Sequence, residues 1–230
     1  MSNRSIHTLL KNWDEECPLT REEAVEVLSL PEEEMDSLME CAYALRTKYK
    51  GKKVSVQLLT NVRSGNCTQN CAYCAQSKDS QAEIEKYKRV SDEKLYGDND
   101  LVDEKHLARH CIGLSGIGFS DEEIEDLADR IREMKKKDTQ ICCSIGFLTE
   151  KQARILKDAG LDRINHNLNS SRSFYPEICT THTYDQRVNN IKMLQELGFE
   201  ICSGGIVGMG ESKEDIVDML MDLREINPES

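Results

Sequence analysis

The chain lacks any run of apolar residues that approaches the roughly 20 needed for a membrane-spanning helix. Its first residues, MSNRSIHTLLKNWDEECPLT, also lack the apolar centre of a secretory signal peptide. Positive charge is scarce as well, since 30 Lys and Arg stand against 42 Asp and Glu and give a net charge of −12. This balance disfavours nucleic acid and anionic membranes as partners. We therefore expect a cytoplasmic protein that binds neither.

Proline and glycine are also few, with 4 Pro and 13 Gly among 230 residues. The composition is that of a folded globular chain, and the length suffices for one substantial domain with a buried core. Cysteine, in contrast, is abundant, since the chain contains 10. Because disulfides are disfavoured in the cytoplasm, clustered cysteines there indicate a metal site or catalysis.

The first part of the chain is predicted to be helical. Between residues 18 and 48, apolar side chains recur at helical spacing on both sides of an interruption at Pro31. We expect residues 1–50 to form an N-terminal helical cap and residues 51–230 to form the main domain. Cys17 and Cys41 fall within the cap, and both are predicted to be structural.

From residue 54 onwards, short apolar strands alternate with acidic amphipathic helices. The predicted strands are 54–60, 110–115, 140–145, 163–168 and 200–207, and the predicted helices include 121–136, 150–159, 184–197 and 212–225. This alternation indicates an α/β fold with a parallel sheet, either doubly wound or part of a barrel. The helix before the second strand is expected to be short or broken, because turn-forming residues accumulate at 96–100.

The loop after the first strand distinguishes these two folds. A dinucleotide-binding sheet would carry a glycine-rich loop there, whereas this chain carries a cysteine cluster. We therefore predict a partial (β/α) TIM-type barrel with about five of the eight strand–helix units. Because a complete barrel needs about 250 residues, we expect either a fragment or an open barrel.

The cysteine cluster consists of Cys67, Cys71 and Cys74, spaced C-x₃-C-x₂-C. Three thiolates on one loop can hold one metal centre, but a structural zinc ion normally takes four protein ligands. On a four-iron cluster, three thiolates leave one iron without a protein ligand. That iron can chelate the amino and carboxylate groups of a methionine. A zinc-binding knuckle is the alternative interpretation of the same residues.

Because strand side chains alternate between the two faces of a sheet, further polar residues are predicted to face the barrel interior. They are Cys111, Cys142, Asn165, Asn167 and Cys202. The three cysteines come from three different strands, so only the folded sheet can bring them together. Cys143 has the opposite orientation and is predicted to lie in the core. Cys179 falls in a loop near the barrel mouth, where its role stays open.

Taken together, the cysteine loop and three later segments resemble the radical SAM enzymes, and among them the biotin synthase family. The matching segments are 66–77, 164–170, 178–187 and 201–211. The runs N-H-N-L and C-S-G-G-I-V-G-M-G-E are far more specific than the cysteine loop. The resemblance implies that Cys67, Cys71 and Cys74 hold a [4Fe–4S] cluster, which cleaves S-adenosylmethionine (SAM) reductively.

The resemblance also implies the other site residues. It places SAM against Tyr73, Asn167, Asn169, Arg187, Gly204, Ile206 and Gly208. In this arrangement Arg187 pairs with the SAM carboxylate, Tyr73 and the glycine segment contact adenine, and the asparagines bind the ribose. Asn165 and Asn167 face the substrate. The remaining implied ligands, Cys111, Cys142 and Cys202, hold an auxiliary iron–sulfur cluster of the two-iron form or a larger one.

The implied reaction is the conversion of dethiobiotin to biotin, with the auxiliary cluster as the sulfur donor. The implied partners are a flavodoxin or ferredoxin as electron donor and a second copy of the chain in a homodimer. Two alternatives stay open. One is another enzyme of this kind, such as a lipoyl-forming sulfur insertase, and the other is an inactive iron–sulfur or zinc-binding fragment. In the family, an arginine and further substrate contacts come from later strands, which this sequence does not contain.

Overall fold

The computed structural model describes residues 18–229. At the N-terminal end, helix α1 (Arg21–Val27) and a 3₁₀ turn (Glu32–Glu34) lead into helix α2 (Met35–Lys50). These helices fall within residues 1–50, the segment predicted to form an N-terminal cap. Its first 17 positions, and with them Cys17, lie outside the described residues.

Five parallel strands form one sheet, and their order in the sheet is their order in the chain. The strands are β1 (Gln57–Arg63), β2 (Arg109–Leu114), β3 (Ile141–Ser144), β4 (Arg163–Asn165) and β5 (Glu200–Cys202). In the described part of the chain the sheet is not closed, since β1 and β5 each pair with one strand only. The prediction of five units of a partial barrel is therefore confirmed.

Helices connect the strands or follow them. They are α3 (Asp92–Glu104), α4 (Asp121–Met134), α5 (Glu150–Asp158), the short α6 (Tyr175–Ile178), α7 (Tyr184–Glu196) and α8 (Lys213–Ile226). A serine or threonine side chain accepts a backbone N–H at the start of each of the five longer ones. Within residues 18–229, no helix has the length and apolar character that crossing a membrane requires.

The cap packs against the last helix of the main domain. Arg21 of α1 donates to the Asp218 carboxylate of α8 at 2.5 and 3.0 Å. Arg224 of α8 donates to the carbonyl oxygen of Leu19 at 2.8 Å. A small apolar cluster, separate from the main core, contains Leu19, Val27 and Leu30. Polar contacts therefore hold helix α1 and the residues before it against helix α8.

The expectation of a broken helix at residues 96–100 is wrong, because α3 runs without interruption through this segment. Asp98 accepts a hydrogen bond from the buried Thr60 hydroxyl at 2.6 Å, and Oδ1 of Asn99 lies 3.2 Å from Nδ1 of the His110 ring. These short polar side chains, which usually form turns, are instead satisfied by polar groups of the sheet. Tertiary contacts thus override the local turn preference.

Three strands also have boundaries that differ from the prediction by more than one residue. The first strand begins at Gln57 and continues to Arg63, because its partner β2 runs alongside it from Arg109 to Leu114. The last two strands end early, at Asn165 and Cys202. Beyond them only one isolated bridge is formed, between Asn169, whose φ is 71°, and Gly205.

The two faces of the sheet differ sharply. On the helix-covered face, Ile112, Cys143, Ile164 and Ile201 are completely buried and form the centre of the core. Cys143 therefore lies in the core, as its alternation predicts. On the other face, Asn61, Gly113, Ser144, Asn165 and Cys202 lie side by side in register across the five strands. This second face carries the polar chemistry.

Candidate active site

A cavity of about 520 Å³ lies at the carboxyl ends of strands β1 to β4. This is the edge at which parallel α/β folds bind their ligands. Residues from the strand ends, the cysteine loop and helix α7 line it. Those that bear on function are Cys67, Cys71, Tyr73, Cys74, Ser144, Asn165, His166, Asn167, Asn169, His182 and Arg187.

The cysteine loop is closed by hydrogen bonds near its two ends. The N–H of Lys78 donates to the carbonyl of Gln69 at 2.9 Å, and the N–H of Gly65 donates to the side chain of Gln76 at 2.6 Å. Successive turns then carry the chain from Cys71 to Cys74 and from Cys74 to Ser77. The loop therefore presents all three predicted cluster ligands to one cavity.

Among these three cysteines, Cys71 is the most deeply buried. Burial raises the pKa of its thiol to about 12, and the neighbouring Cys179 adds to the shift. The hydroxyl of Tyr73 forms a hydrogen bond with the Cys71 side chain and lowers the pKa slightly. The Tyr73 side chain is thus directed at the cysteine loop.

Asn165, Asn167 and Asn169 line the cavity, as does His166 between them. Asn169 is buried, and its Nδ2 has no hydrogen-bond partner in the structure. The same is true of Nε2 in His166, whose pKa is lowered to about 3, mainly by burial. His166 is therefore only half satisfied and belongs to the cavity wall. Buried nitrogens without partners are rare in native proteins, and a bound polar ligand would satisfy both.

Arg187 projects from helix α7 into the cavity. It donates from Nε to the Tyr175 hydroxyl at 2.5 Å, from Nη1 to the Asn167 carbonyl at 3.1 Å, and from Nη2 to His182 at 3.0 Å. A guanidinium has five N–H donors, so one on each terminal nitrogen stays available. These two form the fork that suits a carboxylate.

The three strand cysteines lie deeper on the same face. Cys111 and Cys142 are direct neighbours in register, and the Cys111 thiol donates to Oε1 of Gln57 at 3.3 Å. The adjacent Cys142 thiol is the largest influence on the pKa of Cys111. The Cys142 thiol, together with the charges of Arg109 and Arg163, lowers the pKa of Cys111 to about 7 against the effect of burial. Cys202 is two strands away from Cys142 and one row higher, opposite Asn165. It still acts electrostatically on Cys142.

The position between Cys142 and Cys202 is occupied by Arg163, which sequence reasoning did not identify. Arg163 lies opposite Cys142 on β4 and opposite Glu200 on β5. Its Nε donates to the Glu200 carboxylate at 2.9 Å. The signal available in the sequence was the spacing of Arg163 and Asn165, since residues two apart on a strand face the same side of the sheet. The floor of the site thus combines three thiols with a buried arginine.

The glycine segment after β5 lies outside the cavity wall. A Cβ added to Gly204 would stand 4.0 Å from Oδ1 of Asn167, so the backbone there is close to the site. The N–H of Ile206 donates to the Asn169 carbonyl at 2.8 Å. Gly208 has a φ of 97°, and its N–H donates to the Glu211 carboxylate at 2.5 Å. Gly204 and Ile206 thus support Asn167 and Asn169 from behind.

Sequence reasoning also left Cys179 unassigned and did not consider His182. Cys179 is buried, with its sulfur 3.7 Å from that of Cys71 and 3.3 Å from Nδ1 of His182. The pKa of His182 is lowered to about 4, mainly by burial and also by the charge of Arg187. The C-x₂-H spacing of Cys179 and His182 was the signal available in the sequence.

The donor set of the cysteine loop fits a multi-iron cluster better than a single ion. Around one tetrahedral zinc, with bonds of about 2.3 Å, the ligand sulfurs would all lie within about 4 Å of one another. Among the described residues, the potential ligands that gather within 4.8 Å of one another are Cys71, Cys179 and His182. Cys67, Cys71 and Cys74 are more widely spread, as ligands around a cube of four irons must be.

Comparison with known proteins identifies the family. The Radical SAM superfamily model matches residues 61–223. The chain is 41% identical over 213 residues to a biotin synthase of Geobacillus kaustophilus, covering 92% of this chain and 64% of that protein. It is 40% identical to a biotin synthase of Rhodopirellula baltica, covering 93% of this chain and 60% of that one. The chain thus spans less than two thirds of the length of these relatives.

The fold is also found among solved structures. The crystal structure of a methylornithine synthase superposes with a TM-score of 0.83, covering 96% of this chain and 64% of that one. Because its sequence identity is only 17%, this likeness shows the fold alone. It supports the assignment of a partial barrel.

Proposed function

This chain belongs to the radical SAM superfamily, and we propose that within it the chain performs sulfur insertion of the biotin synthase kind. One observation carries the proposal: Cys67, Cys71 and Cys74 line the same cavity as Arg187 and the asparagines of β4. The similarity to biotin synthases supports it over most of the chain. Because those proteins are longer than this chain, their complete activity is a proposal for this chain, and the proposal rests on the residues of its site.

We assign the [4Fe–4S] cluster to Cys67, Cys71 and Cys74. When bound, the cluster supplies the electron that cleaves SAM to methionine and a 5′-deoxyadenosyl radical, which removes hydrogen from an unactivated carbon. The chain's own task is to orient SAM and exclude water. The two free N–H groups of Arg187 accommodate its carboxylate.

The remaining SAM contacts follow from the polar atoms that lack partners. The unpaired Nδ2 of Asn169 and the side chain of Asn167 serve the ribose hydroxyls. Because the ring of Tyr73 is directed at Cys71, we assign its adenine contact to the backbone. Gly204, Ile206 and Gly208 close the adenine side, where glycine lets a ring approach the backbone.

The auxiliary centre is assigned to Cys111, Cys142 and Cys202. The strand register, which places Cys111 beside Cys142 and puts Cys202 on the same face two strands away, supports a shared site. Its chemistry is the donation of sulfur to the substrate carbon. Asn165 lies in register with Cys202 and is placed to bind the ureido ring of dethiobiotin.

Partners and compartment are proposed from the same chemistry. A flavodoxin or ferredoxin supplies electrons, a homodimer is the working assembly, and the reducing cytoplasm keeps the ten cysteines as thiols. Residues 1–50 serve as a helical extension and residues 51–230 as the catalytic domain.

The test is anaerobic reconstitution with iron and sulfide, followed by reduction in the presence of SAM. We expect 5′-deoxyadenosine, and an EPR signal of the reduced cluster that changes when SAM is added. Cys111→Ser should still form 5′-deoxyadenosine but lose the iron and sulfide of the auxiliary centre. Protein that yields no 5′-deoxyadenosine, or that holds zinc in place of iron, would contradict the proposal.

The substrate is tested by offering dethiobiotin and an octanoyl-protein to the same reconstituted enzyme. Biotin formed from dethiobiotin supports the proposal. Lipoyl product from the octanoyl substrate alone would assign the chain to lipoyl formation. In both cases Cys67→Ser is the matched control, since it removes a loop ligand and leaves the strand cysteines intact.

A further inference from the structure

Cys71 of the cysteine loop is paired with a second buried thiol, that of Cys179, which has no role in the function proposed above. The Sγ atoms of Cys71 and Cys179 lie 3.7 Å apart, and the two residues are only 8% and 3% exposed. Since a disulfide joins its sulfurs at about 2.05 Å, closing the pair from 3.7 Å requires a combined movement of about 1.7 Å. Side-chain rotation alone can supply a movement of this size.

The backbone holds the two cysteines in place for such a bond. The N–H of Ala72 donates to the carbonyl of Ile178 at 2.9 Å, which joins the segments next to each cysteine. Asn70 clamps the same segments, because its Nδ2 donates to the Thr180 hydroxyl at 2.7 Å and its Oδ1 accepts the N–H of Thr180 at 3.0 Å and of Thr181 at 3.2 Å. The pairing of the two thiols is therefore a property of the fold.

We propose that Cys71 and Cys179 form an intramolecular disulfide when the chain holds no cluster and meets a low-molecular-weight disulfide. One cysteine attacks the small disulfide, forms a mixed disulfide and releases one small thiol. The second cysteine attacks the mixed disulfide and releases the other. The two cysteines are oxidised by two electrons, the small disulfide is reduced to two thiols, and the two protons pass to these thiols.

The consequence for cluster binding rests on the function proposed above. A disulfide withdraws Cys71 from the ligand set, so the oxidised chain cannot assemble the [4Fe–4S] cluster. The bond also prevents irreversible oxidation of Cys71 to sulfinic acid, and a reductant restores the thiol. Cys179 thus acts as the resolving partner of one cluster ligand.

The experiment maps disulfides in the full cluster-free chain after treatment with oxidised glutathione. Free thiols are alkylated, and the protein is digested with trypsin, which releases residues 64–78 and 173–187 as separate peptides. We expect these two peptides to be joined. A Cys67→Ser/Cys74→Ser double variant leaves Cys71 as the one cysteine in its peptide, and there we expect the same link.

Two further variants serve as controls. Cys179→Ser should give no joined pair, whereas Cys41→Ser, which changes a half-buried cysteine of the cap, should leave the link intact. Cys71 and Cys179 both recovered in alkylated form would overturn the inference. A link that persists in Cys71→Ser would overturn it as well, because another loop cysteine would then be the partner.

A second arm measures cluster assembly separately from the disulfide. Oxidised wild-type chain should show the EPR signal of the reduced [4Fe–4S] cluster only after dithiothreitol treatment, and Cys179→Ser should depend less on this treatment. A mapped link without any cluster after reduction would refute the proposed function and leave the disulfide standing. Cluster assembly in a chain that never forms the link would refute the disulfide and leave the proposed function standing.

Discussion

His110 makes the stability of this fold sensitive to acid. Its ring is completely buried on the helix side of β2, 2.8 Å from the Thr60 hydroxyl and 3.2 Å from Oδ1 of Asn99. Its pKa is lowered from 6.5 to about 4 in total. Burial is the main cause and the charge of Lys94 acts in the same direction, whereas the Asp98 carboxylate raises the pKa by less. The folded chain therefore holds this histidine neutral where the unfolded chain protonates it.

The sign and size of the effect follow from linkage. Between pH 6.5 and pH 4 the unfolded state binds the extra proton, so the stability that His110 contributes is present above pH 6.5 and is lost as the pH falls. At 1.36 kcal/mol per pKa unit, the shift amounts to a loss on the order of 3 kcal/mol. For a chain with a typical stability of about 5–15 kcal/mol, this is a large fraction.

The assay is urea unfolding of the cluster-free chain at pH 7.5 and pH 4.5, followed by circular dichroism. His110→Gln keeps an amide for hydrogen bonding but cannot titrate, so its loss of stability between the two pH values should be smaller than that of the wild type by about 2–3 kcal/mol. His106→Gln, which changes an exposed histidine, should behave like the wild type. Equal pH dependence in His110→Gln and the wild type would refute the reasoning.

Three further predictions concern the site. Arg187→Lys should weaken SAM binding in equilibrium dialysis by about tenfold to a hundredfold, because a point charge cannot replace the two-donor fork; unchanged affinity would show that Arg187 does not contact the carboxylate. Gly146→Ala should lower the free energy of unfolding by about 1–3 kcal/mol in urea titrations. Its Cβ would stand 2.3 Å from the carbonyl oxygen of Ile117, whereas Gly118→Ala meets nothing within 4 Å and should be neutral. Cys74→Ser should abolish both the visible absorbance of the cluster and 5′-deoxyadenosine formation, while Cys41→Ser should retain both; a Cys74→Ser protein that still cleaves SAM would remove Cys74 from the ligand set.

The periodicity of apolar residues and the capping residues at the helix starts made most of the fold predictable. Four helices, those beginning at Asp121, Glu150, Tyr184 and Lys213, start within one residue of their predicted positions, because serine and threonine side chains mark the starts. Helix α3 could not be predicted, since the partners that satisfy Asp98 and Asn99 are Thr60 and His110, distant in sequence. The ends of β4 and β5 were also missed, because the strand-like pattern of the sequence continues beyond Asn165 and Cys202 whereas the paired ladder does not.

The site was predictable where residues alternate along a strand and unpredictable where two loops meet. Alternation alone placed Cys111, Cys142 and Asn165 on the inward face. No local pattern brings Cys179 to Cys71, because 107 residues separate them and the contact depends on Asn70 holding the second loop. Arg163 was missed for a different reason, since an arginine near the start of a strand is usually exposed.

The register of the sheet constrains the substrate that this site can take. Cys111, Cys142 and Arg163 occupy one row, and Ser144, Asn165 and Cys202 occupy the next row towards the cavity. Two residues along a strand span about 7 Å, so roughly this height separates the deeper thiols from the hydrogen-bonding row above them. If SAM binds at Arg187 and Asn169, a substrate held by Asn165 would lie one row above the thiols of Cys111 and Cys142 and level with that of Cys202.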